Sequence, residues 1–499
     1  MSSSEAAPRW RTPYLRMAAL TVLAVLIHGY HLGADDAAIY VPAIKKAADP
    51  ALYPFGDEFF MAHAHLSYFS NLVGGFARLT HLSIDLVIFL FHLAGVFLLL
   101  VASWRLVSAC FESHRARWGG VILLAMLLTV PVAGTALVIM DPYLTARSLS
   151  TPFAMFAIAA AAERRPWAAL LWLLATALVH PQMSAYAVAL VGLMALARRP
   201  AVLAEPVPVF GLASVSWLPF VFEFHPASGA AREALLSRTY FFVFQWKWYE
   251  WVGVLVPLAI LWLMPDVCKD ATPAFRSLAR RLVWFGLAFT AAGLLVSTPA
   301  RLENYARLQP MRAFQVIYVV LFLAVGALTA QYALRTKPWR WIALFVPLAL
   351  SLWVFQLQAY PHSRHLELPG EAGRGDWTAA FLWIRGHTPK DAVFALDPDY
   401  MRLPGEDQHG FRAVAERSVL ADNVKDSGAV SLFPQLAGDW KQQVLAQTGW
   451  SHFRTGDFRD LAIQYPVSWI VTRNPAPDGL ACPYHNAEVA VCRIEPDGE

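Results

Sequence analysis

Long apolar segments separated by short polar loops occupy residues 1–357 of this 499-residue chain. A helix needs about 20 consecutive apolar residues to cross the hydrocarbon core of a bilayer. Only 15% of the residues are charged and 57% are hydrophobic, whereas soluble domains carry about 25% charge. The sequence therefore predicts a polytopic α-helical membrane protein with about eleven spanning helices. The candidate spans are residues 17–33, 83–104, 118–139, 148–162, 166–180, 182–197, 207–222, 249–264, 282–298, 313–333 and 341–357.

The positions of the arginines predict the orientation of these spans. Lys and Arg are enriched in the short cytoplasmic loops of membrane proteins, and pairs of arginines recur in every second loop of this chain. The pairs are Arg164-Arg165, Arg198-Arg199 and Arg280-Arg281. This pattern places the N-terminus in the cytoplasm, and an odd number of spans places residues 358–499 on the outer side. We therefore expect a multi-pass protein of a bacterial-type inner (plasma) membrane with an extracytoplasmic C-terminal domain.

Residues 358–499 are predicted to form that separate domain. Helix-like and strand-like patterns alternate along it, which is typical of a small α/β fold. Cys482 and Cys492 flank a turn and a strand-like segment. Outside the cytoplasm such a pair can form a disulfide, although two unpaired thiols remain an alternative.

The loop after the first span, residues 34–82, begins with the adjacent aspartates Asp35 and Asp36. Its pattern predicts a short helix near residues 36–48 and then an amphipathic helix along the membrane surface. Within one helix, two adjacent side chains point about 100° apart, so we expect different roles for the two carboxylates. We predict that Asp36 is the reactive group and that Asp35 caps a helix or supports a metal. Helix capping alone is the alternative interpretation for either residue.

Other polar residues occupy loops that are predicted to lie on the same face. Asp141 and Arg147 could pair only with each other, and His180 could simply end a helix before a proline that begins the next one. The arginines could be anchors at the level of the lipid headgroups. The candidates for a common pocket are Asp141, Tyr143, Arg147, His180, Lys247, Arg307 and Arg312.

These features together resemble the GT-C class of integral-membrane glycosyltransferases, which includes the protein O-mannosyltransferases and the lipid A aminoarabinose transferases. The shared features are the loop that opens with Gly33-Ala34-Asp35-Asp36, a surface helix within it, about eleven spans and an outer C-terminal domain. The resemblance implies transfer of a sugar from a polyprenyl-phosphate donor, with Asp36 or Asp35 as the base. It also implies basic residues that hold the lipid phosphate, here Arg147, Arg307, Arg312 and Lys247.

The chemistry of the outer face favours the same function. Nucleotide sugars are absent there, so an activated sugar must arrive on a lipid. Arginine binds phosphate through two hydrogen bonds, and a carboxylate can take the proton of an acceptor hydroxyl. The acceptor is an unidentified glycan, lipid or protein of the cell envelope, and membrane lipids surround the site. The sequence requires no cofactor, and it is compatible with a site that has a divalent metal or lacks one. It has no basic stripe of the kind that binds nucleic acid.

Two other functions compete with the enzyme. A transporter or flippase for a lipid-linked or anionic substrate would show internal repeats and ionisable residues in the middle of its spans. A non-catalytic membrane scaffold would leave the polar residues of the outer face scattered. The enzyme hypothesis instead predicts that Asp36, Arg147, His180 and Arg312 open onto one cavity.

Overall fold

The computed structural model describes residues 13–196, 226–268, 271–371, 375–403 and 409–494. Helices make up most of the part that precedes the C-terminal domain. They are α1 Tyr14–His28, α2 Ala37–Ala48, α3 Glu58–Ala64, α4 Phe69–Thr80, α5 Ile84–Cys110, α6 His114–Met126, α7 Arg147–Ala162, α8 Pro166–Val179, α9 Pro181–Leu196, α10 Gly229–Leu236, α11 Trp248–Val267, α12 Pro273–Ser297, α13 Phe314–Leu328 and α14 Pro338–Ala359.

Five helical stretches of the described chain are long and apolar enough to cross a membrane. They are α5, α11, α12, α14 and the stretch Ala300–Leu334, which contains α13. Helices α1, α8 and α9 are apolar but shorter. The predicted polytopic helical architecture is confirmed, whereas a count of eleven spans is not. The candidate span at residues 207–222 lies outside the described residues.

The predicted span at residues 118–139 is wrong in its second half. Helix α6 ends at Met126, and the chain then continues as an irregular segment until α7 begins. Pro131 lacks a backbone donor and interrupts helical bonding, and the segment turns back on itself where the Val132 N–H donates to the Leu137 carbonyl over 2.8 Å. The second half of the predicted span is therefore not helical.

The loop after α1 contains both of the helices that its pattern predicts. Helix α2 covers the predicted short helix, and α4 is the amphipathic helix, with Leu72, Phe76 and Leu79 exposed on one side. A Cβ on Gly74 of α4 would lie 2.7 Å from the Ile44 carbonyl oxygen of α2. Only a glycine therefore allows these two helices to pack as closely as they do.

The C-terminal domain is the small α/β unit that the alternation predicts. Its centre is a five-stranded sheet, whose strands are β1 Val393–Ala395, β2 Ser418–Val419, β3 Trp469–Arg473, β4 Ala481–His485 and β5 Val489–Arg493. Their order in the sheet is β2-β1-β3-β5-β4. Strand β1 is parallel to β2 and β3, while β5 is antiparallel to β3 and β4. Cys482 and Cys492 form a disulfide that joins β4 to β5. The helices of the domain are α15 Asp376–His387, α16 Phe411–Ala415, α17 Asp426–Leu432, α18 Ala437–Ala446 and α19 Thr455–Gln464.

Buried charges join this domain to the helical part. Lys45 of α2 is 1% exposed, and its ammonium lies 3.2 Å from a carboxylate oxygen of Asp85 and 2.8 Å from one of Glu416. Arg385 of α15 binds the same two carboxylates, at 2.9 and 3.0 Å. The Lys45 ammonium also donates to the Ala413 carbonyl over 2.8 Å. This network fixes the C-terminal domain against α2 and the start of α5.

We expect Lys45→Ala to lower the free energy of unfolding by about 3 kcal/mol, because removal of one partner leaves buried carboxylates without their counter-charge. The exposed pair of Lys390 and Asp49, 2.8 Å apart, provides the control, since Lys390→Ala should cost less than about 1 kcal/mol. Denaturant unfolding of the purified full-length protein measures both. Equal effects of the two substitutions would contradict this role for Lys45.

Candidate functional site

A polar cavity lies where the first loop, the start of α7 and the C-terminal domain meet. It contains about 800 Å³ of unoccupied space, its open mouth included. Among the described residues, its charged lining consists of the carboxylates Asp35 and Asp36 and a larger number of cations. The cations are Arg147, Arg238, Arg312 and Lys425. A cavity with an excess of positive charge favours an anionic ligand.

The turn that carries the two aspartates is built into the domain contact. Gly33 has a φ of +82° and its carbonyl accepts a 2.9 Å hydrogen bond from the Gly410 N–H. A Cβ on Gly410 would lie 2.3 Å from the Cβ of Ala38, so glycine is needed at this contact. Asp35 has a left-handed φ of 48°, and α2 starts only after Asp36. Both aspartates therefore precede α2, and neither side chain caps this helix.

Arg147 connects Asp36 to the irregular segment before α7. One terminal nitrogen of its guanidinium lies 2.9 Å from Asp36 Oδ2 and 3.0 Å from Asp141 Oδ2. The Thr145 hydroxyl donates to the same Asp141 oxygen over 3.0 Å. Arg147 is 4% exposed. The predicted pair of Asp141 and Arg147 exists, but it also holds Asp36.

The electrostatics around Asp36 keep it ionised. Burial raises the pKa of Asp36, but the positive charges of Lys425, Arg147 and Arg312 outweigh burial and hold this pKa well below its usual range. Burial also raises the pKa of Asp141, against the opposing charge of Arg147. Asp36 is thus a carboxylate with a weak affinity for protons.

Asp35 faces different partners. The Tyr143 hydroxyl donates to Asp35 Oδ2 over 3.1 Å, and the Lys425 ammonium binds Asp35 Oδ1. The same ammonium lies 3.5 Å from Asp36 Oδ1. The side chain of Asp35 is 39% exposed, against 30% for Asp36. Both carboxylates line the cavity, and Asp35 is the more exposed of the two.

Two arginines of the lining have no carboxylate partner in the described part of the chain. Arg238 donates to the Val424 carbonyl and the Ser427 hydroxyl, both over 2.5 Å. The guanidinium of Arg312 lies 5.8 Å from the ring centre of Tyr240, and its buried Nε makes no hydrogen bond. These two cations supply the charge that could bind an anion in the cavity.

A second, largely apolar cavity adjoins the polar one. It contains about 730 Å³ of unoccupied space, its open mouth included, and is lined by His180, Arg307 and the apolar side chains of Val179, Leu308 and Phe433 among others. Tyr40, His63 and Leu432 line both cavities. Burial lowers the pKa of His63 to about 4, so the shared wall is uncharged at neutral pH. His180 ends α8 directly before Pro181 begins α9, as the alternative interpretation expects.

The predicted site residues are thus placed in three groups. Asp35, Asp36, Arg147 and Arg312 line the polar cavity, and Asp141 and Tyr143 bind its carboxylates and arginine from behind. His180 and Arg307 line the apolar cavity. Lys247 lies at the exposed start of α11, 5.8 Å from the ring of Tyr249, and lines neither cavity. In the described part of the chain, no three His, Cys, Asp or Glu side chains converge as metal ligands.

Sequence reasoning missed Lys425 and Arg238. Lys425 lies in the C-terminal domain, 390 residues after Asp35, and no local motif marks it. Arg238 lies in an outer loop of the predicted topology, and its contacts with Val424 and Ser427 depend on how the domain docks. Their positive charge is the one sequence feature that could have identified them as candidate ligands of an anion.

Comparisons with known proteins give one matching family model and several similar solved structures. A family described as a domain of unknown function, DUF6798, matches residues 375–442, and no curated protein matches the chain. One similar solved structure is the archaeal oligosaccharyltransferase AglB from Archaeoglobus fulgidus, in complex with an inhibitory peptide and a dolichol-phosphate. The match has 12% identity and a TM-score of 0.41, and it covers 92% of this chain and 69% of that chain. A TM-score of 0.41 is too low for this likeness to support an inference.

The lowered pKa of Asp36 predicts how stability depends on pH. A carboxylate whose pKa is lower in the folded than in the unfolded state stabilises the fold above its unfolded pKa of about 3.9. That stabilisation is lost as the pH falls from about 4 toward the folded pKa. We therefore expect Asp36→Asn to lower the Tm at pH 7, and the difference from wild type to shrink below about pH 4. Thermal unfolding of both proteins from pH 7 to pH 3 tests this, and a difference that stays constant would contradict it.

Proposed function

We propose that this protein transfers a sugar from a polyprenyl-phosphate donor to a hydroxyl group of an envelope acceptor. The observation that carries the proposal is the polar cavity, in which two carboxylates lie beside two arginines that have no carboxylate partner in the described chain. The adjoining apolar cavity could hold the isoprenoid chain of the donor. A scaffold gives no reason for this grouping of charges.

Arg312 and Arg238 are the proposed ligands of the donor phosphate. Both are cations on the wall of the polar cavity, and arginine binds phosphate oxygens with paired hydrogen bonds. The segment before Arg312 is fixed by Tyr186. The Tyr186 hydroxyl donates to the carbonyls of Leu308 and Gln309 over 2.8 and 2.9 Å. Arg307 lies on the apolar cavity that would take the first isoprenoid units of the donor.

Asp35 is the better candidate for the base, although the sequence favours Asp36. A base must take up a proton, and the positive charges around Asp36 lower its pKa, which weakens it as a base. Asp36 and Arg147 then act as positioning residues that fix the turn. Asp35 is more accessible and receives the Tyr143 hydroxyl, which orients its carboxylate.

The reaction follows from these positions. The acceptor oxygen attacks the anomeric carbon of the sugar, and its proton passes to Asp35. The bond between the anomeric carbon and the phosphate oxygen breaks, and the electron pair stays on that oxygen. The charge that develops on the leaving polyprenyl phosphate is stabilised by Arg312 and Arg238. Because a phosphate monoester is a good leaving group, no general acid is needed.

We further propose that the site faces the outside of the cell. The recurrent arginine pairs of the sequence support this orientation. Cysteine chemistry agrees with it: the disulfide lies in the C-terminal domain, while Cys110 and Cys268 lie outside any disulfide at the far ends of α5 and α11. Disulfides persist outside the reducing cytoplasm. On that side, a lipid-linked sugar is the available donor.

We expect Asp35→Asn to lower kcat at least about 100-fold, because the loss of a general base typically costs that much. Asp36→Asn should lower kcat less, about 10-fold, because it only loosens the turn. Activity is measured as farnesyl phosphate released from a panel of farnesyl-phosphate glycosides, with native membranes as the source of acceptor. Full activity of both variants would contradict the proposed function, and the larger loss in Asp36→Asn would reverse the two roles.

We expect Arg312→Ala to raise the KM for the donor about 10-fold, because a charged hydrogen bond to phosphate is worth about 1.5–3 kcal/mol. Arg301→Ala is the matched control, since Arg301 is exposed in the same segment and lines neither cavity. An unchanged KM in Arg312→Ala, or an equal change in Arg301→Ala, would remove Arg312 from the phosphate site.

A further inference from the structure

Lys425 is the charged residue that the C-terminal domain contributes to the described lining of the polar cavity. Its ammonium binds Asp35 Oδ1 and lies 3.5 Å from Asp36 Oδ1, so one cation is shared between both carboxylates. Its side chain is 14% exposed. If Asp35 is the base, Lys425 occupies one of its two carboxylate oxygens while the Tyr143 hydroxyl occupies the other, so the ion pair must open before the carboxylate can take the acceptor proton.

The backbone around Lys425 is held in place while its side chain projects into the cavity. Asp422 Oδ1 accepts hydrogen bonds from the backbone N–H groups of Val424 and Lys425, over 2.7 and 2.5 Å. Arg238 binds the Val424 carbonyl on the other side. The backbone of Lys425 is thus fixed, and the flexible part of the residue is the four-carbon side chain that ends in the ammonium.

The same ammonium lies close to the arginines that are proposed to bind phosphate. Lys425, Arg238 and Arg312 line one cavity. A donor phosphate bound by the two arginines is a phosphodiester with one negative charge, and it would offer Lys425 a second anionic partner beside Asp35. A shift of the flexible side chain would then exchange one ion pair for another.

We propose that Lys425 is a latch on the base: it pairs with Asp35 when the donor is absent, and it moves to the donor phosphate when the donor binds, which frees Asp35. The inference rests on the proposed function. It predicts an obligatory order, because the carboxylate can accept the acceptor proton only after the donor is bound. It also explains why the C-terminal domain contributes a residue to the cavity.

A double-mutant cycle on donor binding tests the latch. The probe is farnesyl phosphate, with neutral farnesol as its control, titrated into the full-length protein in nanodiscs. If the phosphate must first displace Lys425 from Asp35, Asp35→Asn should bind farnesyl phosphate about 10-fold more tightly than wild type. In the Lys425→Gln background the latch is absent, so the same Asp35→Asn substitution should improve binding less.

A static Lys425 predicts the opposite coupling. If Lys425 stays on Asp35 in the complex, it screens the repulsion between Asp35 and the phosphate. Asp35→Asn would then improve binding at least as much in the Lys425→Gln background as in wild type, and this result would overturn the latch. The two hypotheses therefore differ in the sign of the coupling between the substitutions.

Two controls complete the test. Lys425→Arg keeps the charge and should keep the coupling seen in wild type, even if Lys425→Gln disturbs the local fold. Lys441→Gln removes a lysine of the same domain that pairs with Glu233 at 2.7 Å and does not line the cavity; it should leave the affinity for farnesyl phosphate unchanged. If wild type binds farnesyl phosphate no better than farnesol, the proposed function itself fails. If wild type prefers the phosphate and the coupling is absent or reversed, only the latch fails.

Discussion

The buried ammonium of Lys45 is the contact on which the rest of the structure depends. It brings together a carboxylate of a spanning helix, Asp85, and one of the C-terminal domain, Glu416. A buried charge is stable only with partners of this kind, so the network specifies one docked arrangement of the domain. That arrangement sets where Gly410 meets Gly33 and where Lys425 enters the cavity. The candidate site therefore exists only in the docked protein.

Within the cavity, some charged residues fix the geometry of the turn and others are available to bind a ligand. Asp36 and Asp141 are tied to Arg147 and fix the geometry of the turn. Arg238 and Arg312 lack such carboxylate partners among the described residues, and positive charge is left over for a ligand. Asp35 lies between these two groups, with Lys425 as its partner. In the proposed function, a lipid phosphate would satisfy this excess charge, and the adjoining apolar cavity would take its chain.

The sequence predicts local features of this protein well. Apolar length predicts helices such as α5, and the spacing of apolar residues predicts α2 and the amphipathic α4. The aspartate pair also stands out, because two carboxylates beside an apolar segment need a reason. By contrast, the sequence does not predict that the helix ends at Met126. Residues 127–139 are apolar enough to resemble the rest of a span, although Pro131 interrupts helical hydrogen bonding.

Long-range features could not be predicted because they depend on docking. Nothing near Lys425 in the sequence connects it to Asp35, and the assignment of Lys247 to the site rests on the family resemblance and on its position in a predicted outer loop. The choice between Asp35 and Asp36 also needed coordinates, since it depends on which carboxylate Arg147 binds. Pairings of this kind are set by tertiary structure, and they decide which groups of a membrane site are available for chemistry.

The most direct test of the central claim is the position of a bound lipid phosphate. A cryo-EM structure of the full-length protein in nanodiscs with a polyprenyl monophosphate would show it. We predict that the phosphate contacts Arg312 and Arg238 in the polar cavity and that the chain extends into the apolar cavity beside His180. A phosphate bound elsewhere on the protein, with the polar cavity filled only by water, would contradict the account.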